Sequence, residues 1–193
     1  MGFISEQKLE NAMRNLGYRP KSRHIEAIVK ETNSSFDDKY NAAMFLAQCA
    51  HESTGYHDIE EIAYKGATWS PYGDGAPGKS YHGRGFIQLT WDYNYKSCSH
   101  DIGRGNQLYK HPEMVASDSS LGAEVSVWFW QKNVETYRGF NSRRNFGITT
   151  KAINGGHECR GRNVDQSKNR YRCYVEICDQ MGITPADECG CYN

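Results

Sequence analysis

Charge of one sign is missing from this 193-residue sequence: 23 Lys and Arg stand against 23 Asp and Glu, a formal net charge of zero. Nucleic acids and anionic membranes are bound through basic patches or stripes, so neither is expected as a partner. Arg138, Arg143 and Arg144 form a local concentration that reads as a solvated loop. No apolar run approaches the ~18 residues that a membrane span needs. Residues 1–16 are polar and amphipathic, which does not fit a signal peptide. Internal repeats and low-complexity linkers are absent. The cysteines include no Cys-x-x-Cys pair, which argues against zinc and redox motifs.

What is present fits one soluble globular unit over residues 1–193, with 38% hydrophobic and 24% charged residues. Seven cysteines are many for a reducing compartment. Four of them, Cys173, Cys178, Cys189 and Cys191, crowd the C-terminal end and suggest that it is stapled. Secretion with two or three disulfides is the expectation, with Cys49, on a helix, as the free thiol. Asn33-Ser34-Ser35 is a glycosylation acceptor pattern that also arises by chance. The 13 Tyr and 4 Trp residues suit both a core and sugar stacking.

Periodicity predicts a mainly α-helical chain. A helix over 7–16 ends at Gly17, and Ser22 caps the next, which carries Ile25, Ile28 and Val29 on one face. Asp37 caps a third helix running to Glu52, with Tyr40, Ala43, Met44, Ala47 and Ala50 as its buried stripe. Gly55 stops the chain just beyond Glu52. Residues 64–85 read as a long ordered loop, of the kind that often carries function. A short extended segment over 86–91, a buried helix over 121–132, a helix over 148–153 and a last helix over 164–181 complete the pattern.

Glu52, Glu60 and Glu61 are the carboxylates around the first turn. Hydrolysis of a glycosidic bond needs an acid for the leaving oxygen and a base for water, and two carboxylates suffice. Among 23 acidic residues such a pair is weak by itself. The surrounding residues add specificity. Phe45-Leu46-Ala47-Gln48 with His51-Glu52-Ser53-Thr54-Gly55 resembles the acid-bearing helix and turn of glycoside hydrolase family 19 chitinases. Gly83-Arg84-Gly85-Phe86-Ile87-Gln88-Leu89-Thr90, followed by Asn94-Tyr95, resembles that family's long signature. His111-Pro112-Glu113-Met114-Val115-Ala116, Trp128-Phe129-Trp130 and Ile153-Asn154-Gly155-Gly156 follow in family order. The resemblance covers roughly residues 40–182 and is closest to the compact, bacterial-type members.

That resemblance implies a lysozyme-like, mainly α (α+β) fold, two-lobed around a substrate cleft, in a single catalytic domain with no separate carbohydrate-binding module. It implies endo-hydrolysis of β-1,4-linked N-acetylglucosamine polymers, chitin or chitooligosaccharides, with inversion, without cofactor or metal, by a monomer. Glu52 would be the general acid, and Glu61, in Ile59-Glu60-Glu61, the general base. Thr90 would help Glu61 hold the water. His51, Tyr81, Gln88, Tyr93, Asn94 and Asn154 match substrate-contacting positions. His82 departs from the aromatic residue often found beside Tyr81. Glu158 and Arg170 match a charged network that positions the base. Trp128-Phe129-Trp130 reads as core. Gly83-Arg84-Gly85 lacks the ending and setting of a phosphate loop. Two alternatives keep the scaffold: a peptidoglycan-cleaving, lysozyme-type enzyme, and a catalytically silent sugar-binding protein. The second would be marked by loss of a carboxylate, and both are present.

Overall fold

In a computed structural model, residues 2–192 are described; Met1 and Asn193, the ends of the expected unit, lie outside the described residues. Helices dominate: α1 Glu6–Asn15, α2 Ser22–Ser35, α3 Lys39–Glu52, α4 Asp92–Asp101, the short α5 Gln107–Lys110 and α6 Met114–Ser117, α7 Ser119–Phe129, α8 Gly147–Glu158 and α9 Val164–Met181. Among the described residues, β-structure is confined to isolated bridges, including Glu60 with Arg84 and Arg84 with Leu89.

The sequence explains most of these boundaries. Ser5 and Asp118 accept hydrogen bonds from the first free N–H groups of α1 and α7. Asp38, not Asp37, caps α3, accepting from Tyr40 N–H at 3.1 Å. Ser22 is the first residue of α2 rather than its cap, and Lys21 precedes it without a side-chain cap bond. Gly182, with φ of 65°, closes α9 in the left-handed conformation that costs glycine least.

The third helix is more central than a one-stripe reading predicts. Every residue from Ala42 to Ala50 is buried, because α2, α8 and α9 all pack on it. A helix apolar on all sides belongs inside a core. Its alanines let neighbours approach, and Phe45 fills the gap towards Phe36 and Trp130. The apolar residues form two clusters. The larger is built on α1, α2, α3 and α9, and the smaller holds Tyr81, Leu89, Tyr95, Leu108, Val115, Leu121 and Val125. Helix α7 feeds both, and Phe129 packs against each. The fold is mainly α, with two cores side by side.

Four further expectations are corrected. The segment 86–91 is a tight turn closed by the Arg84–Leu89 bridge, not an extended run. Its Gln88 and Trp91 both take positive φ, 56° and 77°. The helix expected to stop at Asn154 kinks there and continues to Glu158. Among the described residues one disulfide, Cys159–Cys191, is present where two or three were expected. Cys49, Cys98, Cys173 and Cys178 are buried on α3, α4 and α9, where they act as small apolar side chains. Finally, Asn33 lies inside α2 with its amide bonded to Phe3 N–H and Ile4 C=O, at 2.7 and 2.9 Å. That nitrogen is committed within the fold, which removes the glycosylation reading.

Candidate active site

A cleft of about 560 Å³ is lined by both principal carboxylates, Glu52 and Glu61, together with Thr90, Gln88, Asn94 and Asn154. Helix α3 delivers Glu52 on its last turn. Glu61 comes from the chain just beyond, where the bridge between Glu60 and Arg84 lays that strand-like segment beside residues 83–85.

Each carboxylate is held differently. Arg170 Nη2 donates to Glu52 Oε1 at 2.6 Å. The same guanidinium grips Glu158 through Nε and Nη2, both at 2.7 Å, and donates to Gln48 Oε1 at 2.8 Å. Gln48 in turn donates to Thr149 and Thr150, and Asn154 donates to Glu158 at 2.6 Å. Arg170 is 1% exposed and Glu158 3%. Burial pushes the Glu158 carboxyl up, but the hydrogen bonds and charge of Arg170 outweigh it and hold the group below its ordinary value. The expected charged network is therefore present, but it grips Glu52, the expected acid, rather than Glu61. The reason is positional: α9, which carries Arg170, packs along α3, which ends in Glu52.

Glu61 is fixed by neutral donors. Its Oε1 accepts from Tyr72 Oη at 3.1 Å and its Oε2 from Gly83 N–H at 2.9 Å. Its own N–H donates to Gly83 C=O at 2.8 Å. Burial and then the Glu61 charge push the Tyr72 phenol up, so it remains a donor. A Cβ on Gly83 would stand 2.6 Å from Gln88 Oε1, so a larger residue there would push the Gln88 amide aside. Glu60 faces elsewhere. It meets the buried His82 at 3.1 Å and Arg84 at 3.4 Å.

Thr90 Oγ1 spends its hydrogen on Gln88 C=O at 2.8 Å, which leaves its lone pairs as acceptors. Asn94 donates to Thr90 C=O at 2.8 Å. Asn94 and Asn154 thus each commit one N–H to the fold and turn towards the cleft with an amide oxygen and a second N–H.

Three expected contacts fall elsewhere. Tyr81 is fully buried in the smaller core, donating to Tyr109 C=O at 2.7 Å; its ring stacks on protein, so it supports the cleft from beneath. His51 is not a lining residue; its Nδ1 accepts from Asn169 Nδ2 at 3.0 Å on the side of α3 facing α9. Tyr93 stands at the rim, 61% exposed, stacked on Trp91. Sequence reasoning in turn missed Tyr72, Trp91, Ile87, Ile153 and Phe129 as lining residues. It also missed Gln48 as part of the network. Gln48 was legible, being one turn before Glu52 on the same helical face. Trp130 is core, as expected, whereas Phe129 reaches the cleft.

The histidines make a pH prediction. Burial first, then the Arg170 charge, lowers His51 to about 3. Burial also lowers His24 and His82. The unfolded chain takes up these protons near the ordinary 6.5, whereas the fold refuses them until lower pH. Over that window the unfolded state binds more protons, so stability is full above about 6.5 and falls as pH drops towards 3. Thermal unfolding should show a Tm lower by roughly 5 °C or more at about pH 4.5 than at about pH 7.5. The difference should shrink in His51→Gln; an undiminished drop there would remove His51 as a cause.

Known proteins similar to this chain are chitinases. The family model described as chitinase class I matches residues 60–138. Acidic endochitinase SP2 of Beta vulgaris is 38% identical over 82% of this chain and 55% of its own length. Chitinase 6 of Oryza sativa subsp. japonica is 34% identical over 83% of this chain and 59% of its own. The chain thus spans little more than half the length of these curated relatives. Among solved structures, a family GH19 class IV chitinase from Zea mays superposes with a TM-score of 0.76, at 26% identity over 98% of each chain. A bacterial family 19 chitinase superposes with a TM-score of 0.72, at 28% identity over 98% of this chain and 100% of that one. In sequence and along the length of its fold, the chain is similar to glycoside hydrolase family 19 chitinases.

Proposed function

We propose that the chain hydrolyses β-1,4 linkages within polymers of N-acetylglucosamine by single displacement with inversion. The observation that carries this is the pair of carboxylates in one cleft, Glu52 and Glu61, each held by its own set of donors. The naming of relatives as endochitinases supports the substrate.

Glu52 is the acid. Arg170 occupies Oε1, so the proton for the leaving glycosidic oxygen is delivered from Oε2. Glu61 is the base. Tyr72 and Gly83 fix its plane, and its remaining lone pairs take a proton from water. Thr90 accepts the water's second hydrogen, because its own is bound to Gln88 C=O. Water held in this way attacks the face opposite the leaving group, which gives inversion and requires a carboxyl separation of about 6.5–9.5 Å. Asn94 and Asn154 bind the sugar's N-acetyl and hydroxyl groups. Arg170 is a positioning residue, acting through Glu52.

The proposal extends to a monomer acting outside the cell. The disulfide Cys159–Cys191 favours an oxidising compartment. Among the described residues no helix is long and apolar enough to cross a membrane. Peptidoglycan, which alternates the same sugar with a lactyl-bearing one, suits the same two-carboxylate chemistry. Parallel incubation with N-acetylglucosamine hexamer and purified peptidoglycan tests the choice. Internal cleavage of the hexamer to shorter oligomers is expected. Cleavage of peptidoglycan alone would keep the mechanism and replace the substrate, and cleavage of neither would overturn the proposal.

A further inference from the structure

Just past Asn154 the chain leaves the cleft and enters a second hollow of about 270 Å³. Lys151, Gly155 and Gly156 of α8 line it, with Arg160, Arg162 and Tyr137. Gly155, on the wall of the hollow, directly follows Asn154, on the wall of the cleft. Its three cations are not accompanied by any acidic lining residue. None of the three forms an ion pair within 4.0 Å among the described residues. What distinguishes these three is that they share one hollow whose wall carries no carboxylate.

The hollow is also built. Arg160 takes φ of 60°, a left-handed conformation costly for a residue with a side chain. The preceding residue, Cys159, is tied to Cys191, and Arg160 N–H donates to Cys191 C=O at 3.2 Å. Arg162 is laid along the end of α8 by its Nη1 bond to Gly156 C=O at 2.8 Å, which leaves its other guanidinium donors outward. Gly155 makes room for Lys151, since a Cβ there would approach Lys151 Cγ to 2.9 Å. Tyr137 adds a half-buried ring.

An unsubstituted N-acetylglucosamine chain offers hydroxyls and amides, and nothing that calls for three cations. A carboxylate does, because guanidinium groups match it in shape and charge. We propose that Lys151, Arg160 and Arg162 form an anion subsite at one end of the cleft, which binds a carboxylate carried on the glycan, while Tyr137 supports the sugar that bears it. Acidic, peptide- or lactyl-substituted glycans of N-acetylglucosamine are then substrates alongside the neutral polymer. This rests on the reading of the cleft as a glycan site.

Binding to a Glu61→Gln variant tests it apart from turnover. The probes are N-acetylglucosamine tetramer and three soluble tetrasaccharides of the alternating lactyl-bearing polymer: with free stem peptides, with the peptide carboxyls amidated, and with peptides stripped to the free lactyl group. At low salt a free-carboxylate probe should bind about tenfold more tightly than the neutral tetramer and the amidated form. Whether the peptide-bearing or the lactyl form carries the gain identifies the source of the carboxylate. The gain should vanish in Lys151→Gln/Arg160→Gln/Arg162→Gln and near 0.5 M salt, and persist in Lys151→Arg/Arg160→Lys/Arg162→Lys. Equal binding of all four probes overturns the proposal, as does a triple Gln variant that weakens the neutral tetramer equally. Failure of the parent chain to cleave N-acetylglucosamine hexamer is a separate result and strikes the hydrolase reading instead.

Discussion

Glu61→Gln is expected to lower kcat on N-acetylglucosamine hexamer by roughly 10²–10⁴-fold, the usual contribution of a positioned acid or base, with KM little changed. The amide has the shape of the carboxylate and still accepts from Tyr72 or Gly83. The fold should therefore survive, and only the capacity to take a proton from water is lost. Glu52→Gln should fall by a similar factor, for want of the proton delivered to the leaving oxygen. Glu60→Gln is the control one residue away. Its carboxylate faces buried His82 and Arg84 rather than the cleft. It should keep kcat within a few-fold and lose about 1–3 kcal/mol of stability, because Arg84 is left buried with a weaker partner. Kinetics and thermal unfolding on the three variants decide this. A dead Glu60→Gln beside an active Glu61→Gln would transfer the role of base.

Arg170→Met is expected to have the largest effect on stability. The guanidinium is buried and serves Glu52, Glu158 and Gln48 at once. Its removal strands Glu158, itself 3% exposed, as an uncompensated buried carboxylate. Breaking a buried pair from one side costs about 3–5 kcal/mol, which for a chain of this size lowers Tm by roughly 10 °C. Activity should fall too, by about 10²-fold or more, because Glu52 loses the contact that orients it. Arg170→Lys separates the two roles. A lysine restores the charge but not the planar fork that grips Glu158 and Glu52 together. It should recover part of the stability and little of the kcat. A variant with native activity and native Tm would mean that the network is incidental.

How much of this was legible in the sequence depended on how local each cause was. Helix α9 follows from its own periodicity and from Gly182, and its range was anticipated without error. Helix α3 was read as half buried, because a run of alanines looks the same on a stripe as in a centre; only its packing against three other helices separates the two. Asp37 and Asp38 are adjacent acceptors, and tertiary placement selects the second. The turn over 86–91 misled because Phe, Ile, Leu and Thr favour strands, while the Arg84–Leu89 bridge and two positive-φ residues fold it back.

The site was similarly divided. The carboxylates, Thr90, Gln88, Asn94 and Asn154 were identified through the resemblance, and the cleft gathers all of them. His51 directly precedes Glu52 and Tyr81 lies two residues before Gly83, yet their side chains turn inward. Tyr72 lies in a Gly- and Pro-rich loop without periodicity, so nothing local aims its hydroxyl at Glu61. The pairing of Arg170 with Glu158 was anticipated, but its contact with Glu52 was not, since α9 reaches Glu52 across 118 positions of sequence. The cysteines overstated the number of disulfides because a buried thiol and half of a disulfide look alike until the helices are placed.

The central claim is that one water, held by Glu61 and Thr90, displaces a leaving group protonated by Glu52. The most direct measurement is the anomeric form of fresh products from N-acetylglucosamine hexamer, followed by proton NMR before mutarotation. The mechanism predicts the α-anomer at the new reducing end. Initial β-anomer would mean retention of configuration and would contradict the single displacement argued from this cleft.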